Sequence, residues 1–196
     1  MKHLLTLVLA LALCLTAGAA SAEMPAVWGM DFAPESYWAQ LEAAMAEYGV
    51  TPENLEEKKQ EWEKQYGEDN LWPQDLFVIY CVLTTPAEDA AQEHFTYPLF
   101  LKEDQKGQQE IGEIARQYMN QDAAGQVDQE WLDQLVCCAF FWNDAFDFEQ
   151  GEYFGHPVWF VQFQAWDTNY WSTRYWAYVS EDGEVLYAEL TLDSNG

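Results

Sequence analysis

Apolar residues recur every three to four positions through the first two-thirds of the chain and every second position near its end, so helices should precede strands. From Glu35 the helical period is carried by Tyr37, Leu41, Met45 and Tyr48, and Gly49 supplies the stop. Thr51-Pro52-Glu53 predicts a new helix start, with a hydroxyl cap, proline at the first helical position and an early acid. Leu55, Trp62 and Tyr66 then mark one narrow apolar face of a surface helix that ends at Gly67, with Glu57 and Glu61 repelling each other on its charged remainder. Trp72-Pro73-Gln74-Asp75 opens an apolar segment, 76–83, whose Val and Ile favour a strand but whose opening favours a helix, and a helix is the expectation. A polar stretch, 84–106, is interrupted by Tyr97-Pro98-Leu99-Phe100-Leu101. A fourth helix is predicted over 109–119 from Ile111, Ile114, Ala115 and Tyr118, and a short helical turn over 128–134 around Trp131 and Leu132.

Beyond residue 134 the period becomes two. Residues 135–142 are apolar throughout, as in a strand covered on both sides or an edge strand packed by helices. Over 157–165, Trp159, Val161 and Phe163 alternate with Gln162 and Gln164; over 174–180, Tyr175, Ala177 and Val179 lie opposite Trp176 and Tyr178. Glu181-Asp182-Gly183-Glu184 is a tight hairpin signal, returned by a strand over 185–190. The expected class is α+β: N-terminal helices, then a helix packed on an antiparallel sheet of three to four strands.

The first 22 residues read as a secretory leader. Lys2 and His3 precede an uncharged apolar run, and Ala20-Ser21-Ala22 has the small residues that a signal peptidase accepts. The expectation is cleavage after Ala22 and an extracellular product, divided into a helical region over 23–94 and an α+β region over 95–196. No second run of spanning length follows, so no membrane association is expected after cleavage.

Composition narrows the partners. The chain carries 34 Asp+Glu against 8 Lys+Arg, a formal charge of −26, and loss of the leader would remove Lys2 and no acid. Such charge would accompany disorder were it not for 16% aromatic residues, which supply a core. It excludes a phosphate-binding footprint, hence nucleic acid, and disfavours anionic membrane surfaces. A protein partner, if there is one, should be basic.

Candidate chemistry is sparse. Of the cysteines beyond the leader, Cys137 and Cys138 would point to opposite faces of a strand, so at most one could reach Cys81; buried thiols acting as small hydrophobes are the simpler expectation. No nucleophile elbow, phosphate-cradling loop, zinc-ligand spacing or cofactor motif is present, and no enzymatic role is expected. Asp144, Asp147, Glu149 and Glu152 form the densest acidic group, the one weak candidate for a cation, but without the calcium-loop register they read as a solvated hairpin loop. Trp166, Tyr170, Trp171, Arg174 and Trp176 interleave aromatic and polar groups. They could form a platform for a peptide side chain or sugar ring, or pack as ordinary core.

Tyr175-Trp176-Ala177-Tyr178-Val179, followed by Gly183-Glu184-Val185-Leu186, resembles the strand–turn–strand signature of PepSY-type domains of exported bacterial proteins. The helix around Ile111 and the strand from Val158 to Phe163 match the pieces expected upstream. The resemblance implies a non-catalytic extracellular module that binds or restrains peptidases, with no catalytic residues to carry over. A protein-binding role is therefore the first expectation, a glycan-binding role through the aromatic loop the second, and a hydrolase the third.

Overall fold

The computed structural model describes residues 32–67, 72–164 and 174–191, and the proposed leader lies outside them. The chain is α+β, with helices preceding an antiparallel four-stranded sheet. The helices are α1 (Glu35–Tyr48), α2 (Leu55–Tyr66), α3 (Gln74–Thr84), α4 (Ala87–Ala90), α5 (Gln108–Asp122) and α6 (Gln129–Gln134). The strands are β1 (Val136–Trp142), β2 (Phe146–Asp147), β3 (Glu152–Tyr153), β4 (Val158–Gln164), β5 (Arg174–Ser180) and β6 (Val185–Thr191). The main sheet runs β1-β4-β5-β6, and β2-β3 is a small separate ladder. The ambiguous apolar segment forms helix α3, as expected. Among the described residues no helix is long and apolar enough to cross a membrane.

The helix expected over 109–119 extends from Gln108 to Asp122, and one helix start differs for a physical reason. The second helix starts at Leu55 rather than at Pro52, because Thr51 and Asn54 close a turn of their own. The Thr51 N–H donates to Asn54 Oδ1 at 2.7 Å and the Asn54 N–H donates to Thr51 O at 3.2 Å. The Thr51 hydroxyl also accepts from the Asn54 N–H, at 3.4 Å, and holds the exposed Glu53 carboxyl below its usual range. The predicted Glu57–Glu61 repulsion on α2 is offset by ion pairs Lys58–Glu61 and Lys59–Glu63.

Two apolar layers result. The first joins Tyr37, Trp38, Leu41 and Met45 of α1, Trp62 of α2, and Leu76, Val78, Ile79 and Val82 of α3. The second packs Ile111, Ala115 and Met119 of α5 onto the inner sheet face, which carries Phe141, Trp159, Val161, Phe163, Tyr175, Ala177 and Val179. Period-two alternation makes that face continuous across β1, β4 and β5. Two glycines allow the close fit. A Cβ on Gly112 would lie 3.0 Å from Cys137 Sγ, so α5 can approach β1 only without one. Gly183, at φ +89°, makes the β5–β6 turn, and a Cβ there would meet Ile114 Cδ1 at 2.8 Å.

The layers meet along the outer edge of β1. Tyr97, Pro98 and Leu99 run beside it as a strap: the Leu99 N–H donates to Phe141 O at 2.8 Å and the Asn143 N–H to Tyr97 O at 2.9 Å. Buried Gln74, in the first turn of α3, fills the space between strap and strand. Its Nε2 donates to Leu99 O (2.7 Å) and Phe141 O (2.9 Å), and its Oε1 accepts from the Phe141 N–H (3.1 Å). Gln108 Nε2 adds a bond to Ala139 O at 2.9 Å and one to Trp72 O at 3.1 Å. These side chains replace the strand that would otherwise pair with β1, blunting an exposed edge. Tyr37 Oη donates to Pro98 O at 2.7 Å, tying α1 to the same strap.

Gln74→Leu keeps the volume but leaves the buried Phe141 N–H without its acceptor. Urea unfolding should show a loss of about 2–3 kcal/mol; a loss under about 0.5 kcal/mol would contradict the role assigned to the carboxamide.

Candidate functional site: the outer face of the sheet

Alternation that sends one set of side chains inward under α5 sends the other to the outer face. Cross-strand register aligns Phe140, Phe160, Tyr178 and Tyr187 on one rung; Cys138, Gln162, Trp176 and Glu189 on the next; and Val136, Gln164, Arg174 and Thr191 on a third. The rungs are not treated alike along their length. At the β1 end α3 covers them: Phe77 stacks on Phe140 with ring centroids 3.9 Å apart, and Cys81 and Trp142 pack into the same cluster as Cys138. Over β4, β5 and β6 no described helix lies on the rungs, and the aromatics pack on one another.

Trp176 is the centre of that open half. Its ring lies 4.9 Å from Tyr187 at 40°, 5.2 Å from Tyr178 at 81° and 6.0 Å from Phe160 at 50°. Trp176 and Tyr187 remain half-buried, whereas Arg174 and Glu189 are exposed. A groove of about 300 Å³ runs over Phe160, Gln162, Trp176 and Tyr178, flanked by Arg174 and Thr191, and Phe148 forms part of its wall. Phe148, at the β2–β3 turn, is 73% exposed, the most exposed large hydrophobic side chain among the described residues. An exposed phenylalanine beside a groove floored by half-buried rings is surface that gains from being covered.

A carboxylate stands beside the groove, on Glu189, the cross-strand partner of Trp176. Tyr187 Oη donates to Glu189 Oε2 at 3.1 Å. Burial pushes the Tyr187 phenol up to about 12, joined by that hydrogen bond and by the charges of Glu189, Glu149 and Asp147. Tyr178 is raised by burial and then by Asp147.

The acidic group between β1 and β4 differs from the solvated loop expected. It contains the β2–β3 ladder, and Asp147 is buried, at 7% exposure. Its Oδ1 accepts from the Glu149 N–H at 2.9 Å and the Gln150 N–H at 3.1 Å, so the turn itself supplies the partners. Asp144 Oδ1 likewise accepts from the Ala145 and Gly155 N–H groups, both at 2.8 Å, while Glu149 and Glu152 stay exposed. Among the described residues no group of three or more His, Cys, Asp or Glu side chains is arranged to hold a metal ion.

Of the aromatic candidates, Arg174 and Trp176 fall on the open face, while Trp166, Tyr170 and Trp171 lie outside the described residues. Phe148, Phe160, Gln162, Tyr187 and Glu189 join the site without having been anticipated. One signal was present: at outward positions, where alternation calls for polar residues, β4, β5 and β6 carry Phe, Trp and Tyr.

A second, larger crevice of about 560 Å³ lies between the strap and the β2–β3 ladder, lined in part by His94, Asn143, Asp144 and Tyr153. Several of its polar groups are committed to structure. Asn143 binds the Tyr97 N–H and Phe95 O, and the Tyr153 ring stacks on His94 at 4.8 Å. The cysteines are placed apart from this crevice: Cys81 of α3 shares the cluster of Cys138 of β1, and Cys137 faces α5 on the other side of the sheet. Cys137 is therefore not the candidate partner for Cys81.

No family model, curated protein or solved structure matches the chain.

Burial pushes the Cys81 thiol up to about 12 and that of Cys137 to about 11, the latter against an opposing pull from Arg116. Thiolate, the reactive form, is scarce at neutral pH in both. Alkylation of Cys137 in the folded protein should rise about tenfold per pH unit from pH 7 to 9.5, whereas the unfolded chain levels off near its ordinary value of about 8.5. Mass-spectrometric labelling rates decide this, and a folded-state plateau near pH 8.5 would contradict it.

Proposed function

We propose that the chain is an exported, acidic, non-catalytic module that binds a basic segment of an extracellular protein on the open half of its sheet. The observation that carries this reading is the division of the outer face. At the β1 end Phe77 of α3 stacks on Phe140 and shares a cluster with Cys138 and Trp142, and the other end keeps a groove of aromatic rings with an exposed Phe148 at its wall. Large aromatics at the centre of a concave, partly dry patch are the side chains that most often dominate protein association. The formal charge of −26 and the acids acting on Tyr187 favour a partner of opposite sign. The resemblance of β5–turn–β6 to PepSY-type domains points to the same class, with an extracellular peptidase as the kind of partner that family suggests.

A glycan reading keeps one supporting observation: Gln162 and Thr191 flank the Trp176 ring, offering hydrogen bonds beside a stacking surface. It differs in salt dependence, since a neutral sugar gains nothing from the acidic field.

Calorimetric titration with a ten-residue peptide alternating lysine with leucine and tyrosine separates these readings. Affinity should fall on raising salt from 50 to 300 mM and should drop at least tenfold, about 1.4 kcal/mol, in Trp176→Ala combined with Phe148→Ala. Circular dichroism and melting should change little, because Phe148 is exposed and Trp176 half-buried. Equal affinity in the double variant would mean that the peptide adheres to negative charge anywhere, and the reading would fail. Salt-independent binding of neutral oligosaccharides lost in the same variant would favour the glycan.

A further inference from the structure

Two adjacent rungs of the open face combine a carboxylate with aromatic rings, and we propose that together they seat a single cationic side chain, lysine or arginine, of the bound segment. The cation lies over Trp176 and Tyr187, and the Glu189 carboxylate meets its charge. This rests on the reading that the open face docks a protein segment, and it names the chemistry of the central contact.

Trp176 and Glu189 are direct cross-strand partners, so their side chains leave the sheet side by side on the outer face. Tyr187 stands two residues before Glu189 on β6, on the same face, and pairs with Tyr178. Its hydroxyl donates to Glu189 Oε2 at 3.1 Å, which draws the carboxylate toward the ring cluster instead of leaving it to swing freely in solvent. The Trp176 and Tyr187 rings are tilted by 40° with centroids 4.9 Å apart, a shallow aromatic bed beside that carboxylate. An aromatic face attracts cations through its quadrupole, Trp most strongly, and a carboxylate within reach adds a charge-assisted bond. Neither an anion nor a neutral group would draw on both features.

The other charges around these rungs sharpen the assignment. Glu149 and Asp147 add negative potential from the β2–β3 turn, as their influence on Tyr187 shows. Arg174 is the one cation among the groove-lining residues, and it stands one rung away, opposite Thr191. It would repel an incoming ammonium or guanidinium, so its removal should strengthen binding. A site built for an anion or a sugar would lose affinity on the same change.

The test uses the intact protein with Nα-acetyl-lysine methylamide as probe and its Nε-acetylated form as the neutral control, both at constant ionic strength. The readout is the NMR shift of the Trp176 indole N–H, assigned with Trp176→Phe. The expected result is a saturable shift with the cationic probe and at least a fivefold weaker response to the neutral one. Glu189→Gln should weaken the cationic probe at least threefold, and Arg174→Gln should strengthen it about twofold or more. Equal responses to the two probes, no shift up to 100 mM, or weakening by Arg174→Gln would each overturn the proposal. Should the lysine-rich peptide still depend on Trp176 and Phe148 in those cases, docking stands and only the cation seat falls; should that dependence also be missing, both fall.

Discussion

The carboxamide of Gln74 is the joint on which the arrangement of the two layers depends. A helix offers no backbone groups sideways, and an edge strand offers a row of them that must be satisfied or wetted. Gln74 resolves this mismatch with one side chain. Its nitrogen donates to carbonyls on both the strap and β1, and its oxygen accepts the N–H of the same β1 residue. Only glutamine or asparagine carries donor and acceptor in that planar spacing, and asparagine is one methylene shorter. Buried at 3% exposure, these bonds form in a medium where an unpaired partner would cost its full desolvation.

This joint also determines what is left uncovered. Held at the β1 edge, α3 lays Phe77 over Phe140 and reaches no further across the sheet, while α5 occupies the opposite face. Among the described residues, the outward aromatic side chains of β4, β5 and β6 pack on one another and with Ala145 and Phe154 beside the β2–β3 ladder. A protein with no more than solubility to satisfy would carry polar residues there. Phe160, Trp176 and Tyr178 line a shallow groove instead, with Tyr187 against the Trp176 ring, and that departure from the inner-apolar, outer-polar rule is the structural basis of the binding role proposed.

Much of the framework was legible in the sequence, because period and punctuation are local properties. The helix from Glu35 to Gly49, the helix carrying Ile111 and Ala115, and the strands around Trp159 and Tyr175 follow directly from apolar spacing. The reading of 135–142 as an apolar strand held too: it is an edge strand packed by helices on both faces. What escaped was long-range. Gln74 has no periodic signature, since its partners Leu99 and Phe141 lie far along the chain. Asp147 lies in a polar stretch, and nothing local shows that its charge comes near enough to act on Tyr178 and Tyr187. The site was half legible. Arg174 and Trp176 were singled out as neighbours in sequence, but Tyr187 and Glu189 join them only once the β5–β6 register is known.

If Gln74 holds α3 at the β1 edge, α3 seals one half of the outer face and leaves the other half open. Hydroxyl-radical footprinting of the intact protein with residue-level mass spectrometry tests this most directly. Phe148, Trp176 and Tyr187 should be modified while Phe77 and Phe140 are protected, and Gln74→Leu should expose Phe77 and Phe140 without changing the first three. Protection of Trp176 and Tyr187 in the isolated chain, or modification of Phe140 to the same extent as Phe148, would contradict it.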